Sequence, residues 1–277
     1  DCSIRLLRNF QRFFLFFFGL LPCLAHAAAP SGQEWKTLRT KNFRVHHMAP
    51  MEAYARHFAF SLERALPKLE ASLRWQLPVP ADIVLTNNSD SANGMAINFP
   101  NTMIEAYHVP FEQESPLAHY VDWVDELATH ELTHLIANDA GEGGFYKTLR
   151  WVFGSWVKPN GLQPGWLIEG LAVYQETSLT PGGRGRSPWM DALLREASRQ
   201  NLLTSKDYSS IDRFNDGNEW WPGGSMPYLM GYTVQAFGAS QAKNFPGEVS
   251  YQNAGHIPYM PNKAAEQLLG KDWKALW

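Results

Sequence analysis

Cysteine is almost missing from this 277-residue chain: Cys2 and Cys23 are its only two, and both fall in an N-terminal stretch that reads as a leader. From residue 28 onward there is no thiol, which excludes disulfides and thiolate metal ligands there. Any ion in that part must be held by nitrogen and oxygen. Long apolar runs are missing too. The best candidate, residues 13–24, is short of the roughly 20 residues that a membrane-spanning helix needs. With Arg5, Arg8 and Arg12 before it and Ala25-His26-Ala27 after it, this stretch reads as an export leader cleaved after Ala27, an uncleaved membrane anchor being the alternative. The expected location is therefore periplasmic or secreted. An excess of positive charge is also absent: 24 Lys and Arg face 27 Asp and Glu, a formal −3. Without Arg5, Arg8, Arg12 and Asp1 of the leader the balance becomes −5. That argues against a nucleic-acid binder.

What is present is a large apolar content, with 11 Trp, 16 Phe and 45% hydrophobic residues. The residues after the leader are enough for one large domain or two small lobes, stabilised by burial alone. Strand candidates are Phe43 to His46, residues 81–86, and two short runs between Gly94 and Tyr107 around a turn at Pro100-Asn101. A helical period runs through Tyr54, Phe58, Leu62, Ala65, Leu66 and Leu69, with Pro67 expected to kink or break it. Further helices are expected over residues 120–138, 165–177, 188–201 and 225–239. An aromatic amphipathic run covers 145–157, and a helix-like run covers 264–277. The fold class is thus α+β: a small N-terminal β-sheet part, residues 28–110, followed by a mainly helical part, residues 111–277. The start at Asp1 and the end within a helix-like run lead to the expectation that this is a piece of a longer protein.

The densest chemical signal is His130-Glu131-Leu132-Thr133-His134. On a helix, His130 and His134 lie about 40° apart around the axis, so both imidazoles can reach one ion, while Glu131 is offset and can address a water. Glu169, set in the otherwise apolar Trp166-Leu167-Ile168-Glu169-Gly170-Leu171-Ala172-Val173-Tyr174, is the third-ligand candidate, because an unpaired carboxylate there is costly. Two His and one Glu leave a coordination position open, as catalytic zinc sites do. One zinc ion per chain is expected. His46, His47, His57, His108, His119 and His256 lack ligand spacing and read as surface or satisfied groups.

H-E-L-T-H followed by W-L-I-E-G-L-A-V-Y resembles the gluzincin metallopeptidases, the peptidase MA-like family related to thermolysin and the aminopeptidase-type members. The resemblance implies a zincin-like fold, zinc on His130, His134 and Glu169, and Glu131 as general base. It also implies hydrolysis of peptide bonds by a metal-activated water, with a peptide or protein as substrate. Related gluzincins stabilise the oxyanion with a downstream Tyr or His, which falls here on Tyr232 or Tyr228, Tyr232 preferred. The 34 residues between His134 and Glu169 are a longer separation than in aminopeptidase-type members and suggest a loop insertion, residues 139–165. Gly94-Met95-Ala96-Ile97-Asn98 is similar to the G-x-M-E-N strand of those members but has Ile97 where they capture a substrate amino terminus. The expectation is accordingly an endopeptidase. Members of the family often carry a β-propeller after the peptidase unit, an expected further domain here. Glu126 or Asp139 is expected to orient a ligating histidine, Tyr174 to be core, and Arg184 and Arg186 to be solvated or to meet a substrate carboxylate. The competing functions are a catalytically degenerate peptidase fold that serves as an envelope scaffold, and a zinc amidase acting on cell-wall material.

Overall fold

Alternation of apolar and polar residues in Phe43-Arg44-Val45-His46 and Ala81-Asp82-Ile83-Val84-Leu85 places one face of each segment toward a core and the other toward water. The computed structural model describes residues 32–98, 101–109, 121–141, 143–206, 208, 210–215, 221, 223–256 and 260–277. The leader, Pro100 and His119 lie outside the described residues. The strands are β1 (Trp35–Arg39), β2 (Phe43–Met48), β3 (Ala81–Thr86), β4 (Gly94–Ile97) and β5 (Met103–Tyr107). They form one five-stranded mixed sheet in the order β1-β2-β3-β5-β4. The β2–β3 and β3–β5 pairs are parallel, and the outer pairs β1–β2 and β4–β5 are antiparallel. Among the described residues, strand β4 therefore lies at an edge, with one side of its backbone ladder unpaired by the sheet.

Two helices cover the apolar face of the sheet. Helix α1 (Glu52–Leu73) buries Phe58, Leu62, Leu66 and Leu69, and α2 (Trp123–Asp139) buries Leu127, Leu132, Leu135 and Ile136, against Phe43, Val45, Ile83, Leu85 and Ile104. Contrary to the sequence expectation, Pro67 does not break α1. Pro67 is exposed, so the missing backbone hydrogen bond falls on the solvent side, while the leucines on the opposite face hold the helix to the core. Helix α2 starts at Asp122, whose carboxylate accepts from the N–H groups of Val124 (3.1 Å) and Asp125 (3.2 Å).

The chain beyond α2 is helical: α3 (Gly144–Phe153), α4 (Gly165–Leu179), α5 (Pro188–Arg199), α6 (Met226–Gln241), α7 (Phe245–Asn253), α8 (Asn262–Leu269) and α9 (Trp273–Leu276). The stretch between α2 and α4, read from sequence as a loop insertion holding an aromatic amphipathic run, contains α3, which falls on that run, and two short 3-10 turns at Gly154–Trp156 and Pro159–Leu162. The run 264–277 is two helices rather than one. Gly270 takes φ 67°, a left-handed stop, and Asp272 accepts from the Ala275 N–H at 2.7 Å to start the next helix. Trp166, Phe214, Leu229, Met230, Phe245 and Trp273 form a second core among these helices. Among the described residues, no helix is long and apolar enough to cross a membrane.

Helices α4 and α6 cross at Gly170 and Gly231. A Cβ on Gly170 would lie 2.4 Å from the carbonyl carbon of Gly231, and one on Gly231 would lie 2.1 Å from the Trp166 oxygen. This close approach sets how far the residues of α6 stand from those of α4. We therefore expect Gly170→Ala to cost about 2 kcal/mol and about 6 °C in melting temperature. Gly144→Ala, at a position with open space around it, should leave the melting curve unchanged.

Candidate metal centre

Helical spacing brings His130 and His134 onto one side of α2, and Glu169 meets them from α4. Their ligating atoms converge: His130 Nε2 and His134 Nε2 are 3.0 Å apart, and Glu169 Oε2 is 3.2 Å from the first and 3.3 Å from the second. Donors held by one tetrahedral ion at bonds of about 2.0–2.1 Å stand about 3.3 Å from one another, so this triangle fits a single small cation. Both imidazoles are buried, while the Glu169 side chain retains 25% exposure and marks the open side. Burial alone would raise the Glu169 pKa, but His134 and His130 hold it well below the usual carboxylate range. For His130, burial and Arg184 oppose protonation, and Glu169 and Glu176 outweigh them, lifting it to about 9. The site thus calls for positive charge, as a proton or as a metal ion.

The orientation of His130 comes from Glu176, a residue not singled out from sequence. Glu176 Oε2 lies 2.8 Å from His130 Nδ1. An ionised carboxylate only accepts, so Nδ1–H donates to it and Nε2 turns a lone pair toward the centre. Arg184 completes this arrangement. Its backbone N–H (2.8 Å) and Nε (2.9 Å) donate to Glu176 Oε1, and its Nη2 donates to Oε2 at 2.8 Å. Nη2 also stands 2.5 Å from His130 Nδ1, and the Oε2 they share accepts from both. Glu176 is fully buried. Burial would raise its pKa, yet Arg184 and His130 bring it down to about 2. The signal was present in the sequence: Glu176 follows Glu169 by seven residues, two turns on one face of an apolar helix.

The two candidates for this orienting role lie elsewhere. The Glu126 carboxyl is buried and makes no hydrogen bond to either histidine; burial and the Glu176 charge push its pKa up to about 7. Asp139 accepts from Trp75 Nε1 at 3.0 Å and pairs with Lys158 and Arg150, tying the end of α2 to α1 and to the segment after it. Arg186 is directed to the backbone oxygens of Thr177, Thr180 and Gly182, which leaves Arg184 as the arginine facing the site.

A cleft of about 340 Å³ opens over the centre. Residues Asn93–Ala96 at edge strand β4 form one wall, and Glu131, with both histidines, forms the floor. The strand approaches closely: a Cβ on Gly94 would stand 3.3 Å from Glu131 Cγ and 2.8 Å from Leu127 Cδ1. Tyr228 lines the cleft, its ring 6.2 Å from that of His130 and under the Arg184 guanidinium at 4.7 Å. Burial and then Glu169 raise its hydroxyl to about 12, so it stays a neutral donor. Tyr232, preferred from sequence, is one turn further along α6, packed where a Cβ on Gly185 would fall 2.2 Å from its Cζ, and it is not part of the cleft wall. The α4–α6 crossing selects between the two tyrosines by that one turn.

Of the remaining described histidines, His256 departs from the expectation of surface or satisfied groups, its Nδ1 being buried with no hydrogen-bond partner among the described residues. His46 contacts Thr37 Oγ1 (2.9 Å) and Asp82 (3.1 Å), and His47 Nδ1 donates to the Met48 oxygen at 2.9 Å. A second grouping, His57, Asp122 and Asp125, is occupied by the α2 cap and by the Ser61 and Arg64 contacts of Asp125. Compared with models of protein families and with curated proteins, the sequence matches none. Glu176→Gln keeps the shape of the carboxylate and removes its charge, so it should weaken Zn²⁺ binding about 10- to 100-fold in a competition titration against a chromophoric chelator. An unchanged affinity would mean that Glu176 does not orient His130.

Proposed function

We propose that this chain is a zinc-dependent metallopeptidase of zincin-like fold, exported through the leader at residues 1–27 and acting as an endopeptidase. One observation carries the reading: two imidazole nitrogens and a carboxylate oxygen converge within 3.3 Å beside Glu131, in a cleft walled by an unpaired strand edge. A donor set of nitrogen and oxygen, with no thiolate, suits zinc in a catalytic site. When bound, such an ion polarises a carbonyl and makes water nucleophilic near neutral pH.

The chain supplies the rest. Glu131, on the cleft floor, takes the proton of the attacking water and passes it to the leaving amine. The Tyr228 phenol, neutral because its pKa lies near 12, donates a hydrogen bond to the oxygen on which negative charge grows. Arg184 and Glu176 keep His130 in the ligating tautomer. The free edge of β4 offers backbone N–H and C=O groups to an extended polypeptide, which favours cleavage within a chain over trimming of its ends. Ile97 in place of an acidic residue points the same way.

Metal analysis with hydrolysis tests this directly. Wild type and Glu131→Gln should each carry about one zinc per chain, and cleavage of an unfolded protein should be lost only in the variant. A zinc-bearing wild type that cleaves no peptide would turn the assignment to the scaffold or to the cell-wall amidase, separable by hydrolysis of purified cell-wall material. Tyr228→Phe should lower kcat about 10²- to 10³-fold with KM little changed. Tyr232→Phe should stay within about twofold of wild type; the reverse pattern would move the oxyanion role to Tyr232.

A further inference from the structure

Between α2 and α4, where the resemblance suggested only a loop, the chain builds a second concavity. Phe145, Tyr146 and Leu149 of α3 face Trp156, Val157, Pro159 and Leu162 across an apolar groove of about 500 Å³. Its large side chains are open to solvent, Phe145 at 64%, Trp156 at 60% and Leu162 at 49%. Large apolar side chains exposed together around one groove suit a contact site. The lining is completed by Lys158, Gly161 and Asn98, the last being the residue that follows β4. Its Oδ1 is buried without a hydrogen-bond partner among the described residues.

Strand β4 links this groove to the metal centre. Gly94, at its start, abuts Glu131, and Asn98, just past its end, borders the groove. Four residues of extended strand span about 13 Å. A polypeptide laid along the free edge has the same rise, so the groove meets its third or fourth residue from the bond beside Glu131.

We propose that this groove is a substrate subsite that takes a large apolar or aromatic side chain three to four residues from the scissile bond. The inference rests on the peptidase reading above and names the substrate class of that same site: extended polypeptide with a bulky apolar residue at a fixed distance from the cut. A membrane surface is the competing occupant of such an aromatic face. Of the basic groups nearby, Arg150 and Lys158 both pair with Asp139.

The test uses zinc-loaded full chain and Leu162→Asp, an exposed position whose variant is first checked for an unchanged melting curve. Internally quenched decapeptides carry Phe or Asp at each position in turn, and cut sites are read by mass spectrometry. Wild type should prefer Phe over Asp at the third or fourth residue on one side of the cut by roughly tenfold or more in kcat/KM, and Leu162→Asp should abolish that preference. Binding is read separately in the zinc-loaded Glu131→Gln background by fluorescence anisotropy of a labelled Phe-containing decapeptide. There Leu162→Asp should raise Kd about tenfold. Hydrolysis without a Phe preference, or a preference that survives Leu162→Asp, overturns the subsite and leaves the peptidase reading standing. Peptide binding unchanged by Leu162→Asp while binding to phosphatidylglycerol vesicles is lost assigns the face to a membrane and also overturns it. No hydrolysis of any peptide by zinc-loaded wild type removes the peptidase reading and the subsite with it.

Discussion

Three electron-pair donors held within 3.3 Å of one another repel unless positive charge lies among them, and the arrangement of this molecule follows from that constraint. His130, His134 and Glu169 are on two different helices, so those helices must be locked together before the donors can converge. Burial in two cores supplies the locking: α2 packs on the sheet and α1, and α4 packs on α6 at the Gly170–Gly231 crossing. The buried ion pair of Glu176 with Arg184 then fixes the direction of the His130 ring. A fully buried carboxylate is costly to desolvate, and here that cost is offset by hydrogen bonds from an arginine and an imidazole.

The same constraint divides the labour of the fold. The sheet and α1 form a rigid apolar support for α2, while β4, at the edge, has no second strand neighbour among the described residues. That open edge and the open side of Glu169 border one cleft, so a chain stretched along β4 passes over the donors and Glu131. In the proposed reaction the protein contributes a base, a neutral phenol and a backbone ladder, and each is held by an element whose placement has a packing reason.

Much of this is legible in the sequence wherever the information is local to one helix. The four-residue spacing of His130 and His134, the carboxylate in the apolar helix of Glu169, and the alternation in β2 and β3 are all read along a single element. What the sequence hides depends on contacts between elements. Glu176 escapes attention because it orients a histidine on another helix, although its position two turns past Glu169 is a recognisable sign. Tyr228 and Tyr232 cannot be ranked by spacing alone, since they differ by one turn and only the α4–α6 crossing brings the first to the cleft. Pro67 is tolerated because it is exposed, which cannot be read from the proline itself, and the division at Gly270 depends on a single left-handed residue.

X-ray absorption at the zinc edge of the purified, zinc-loaded chain probes the convergence of donors most directly. The account predicts about one zinc per chain, with a first shell of two imidazole nitrogens plus oxygen at about 2.0–2.1 Å and no sulfur. An all-oxygen shell lacking imidazole scattering, or the absence of tightly held zinc, would contradict it.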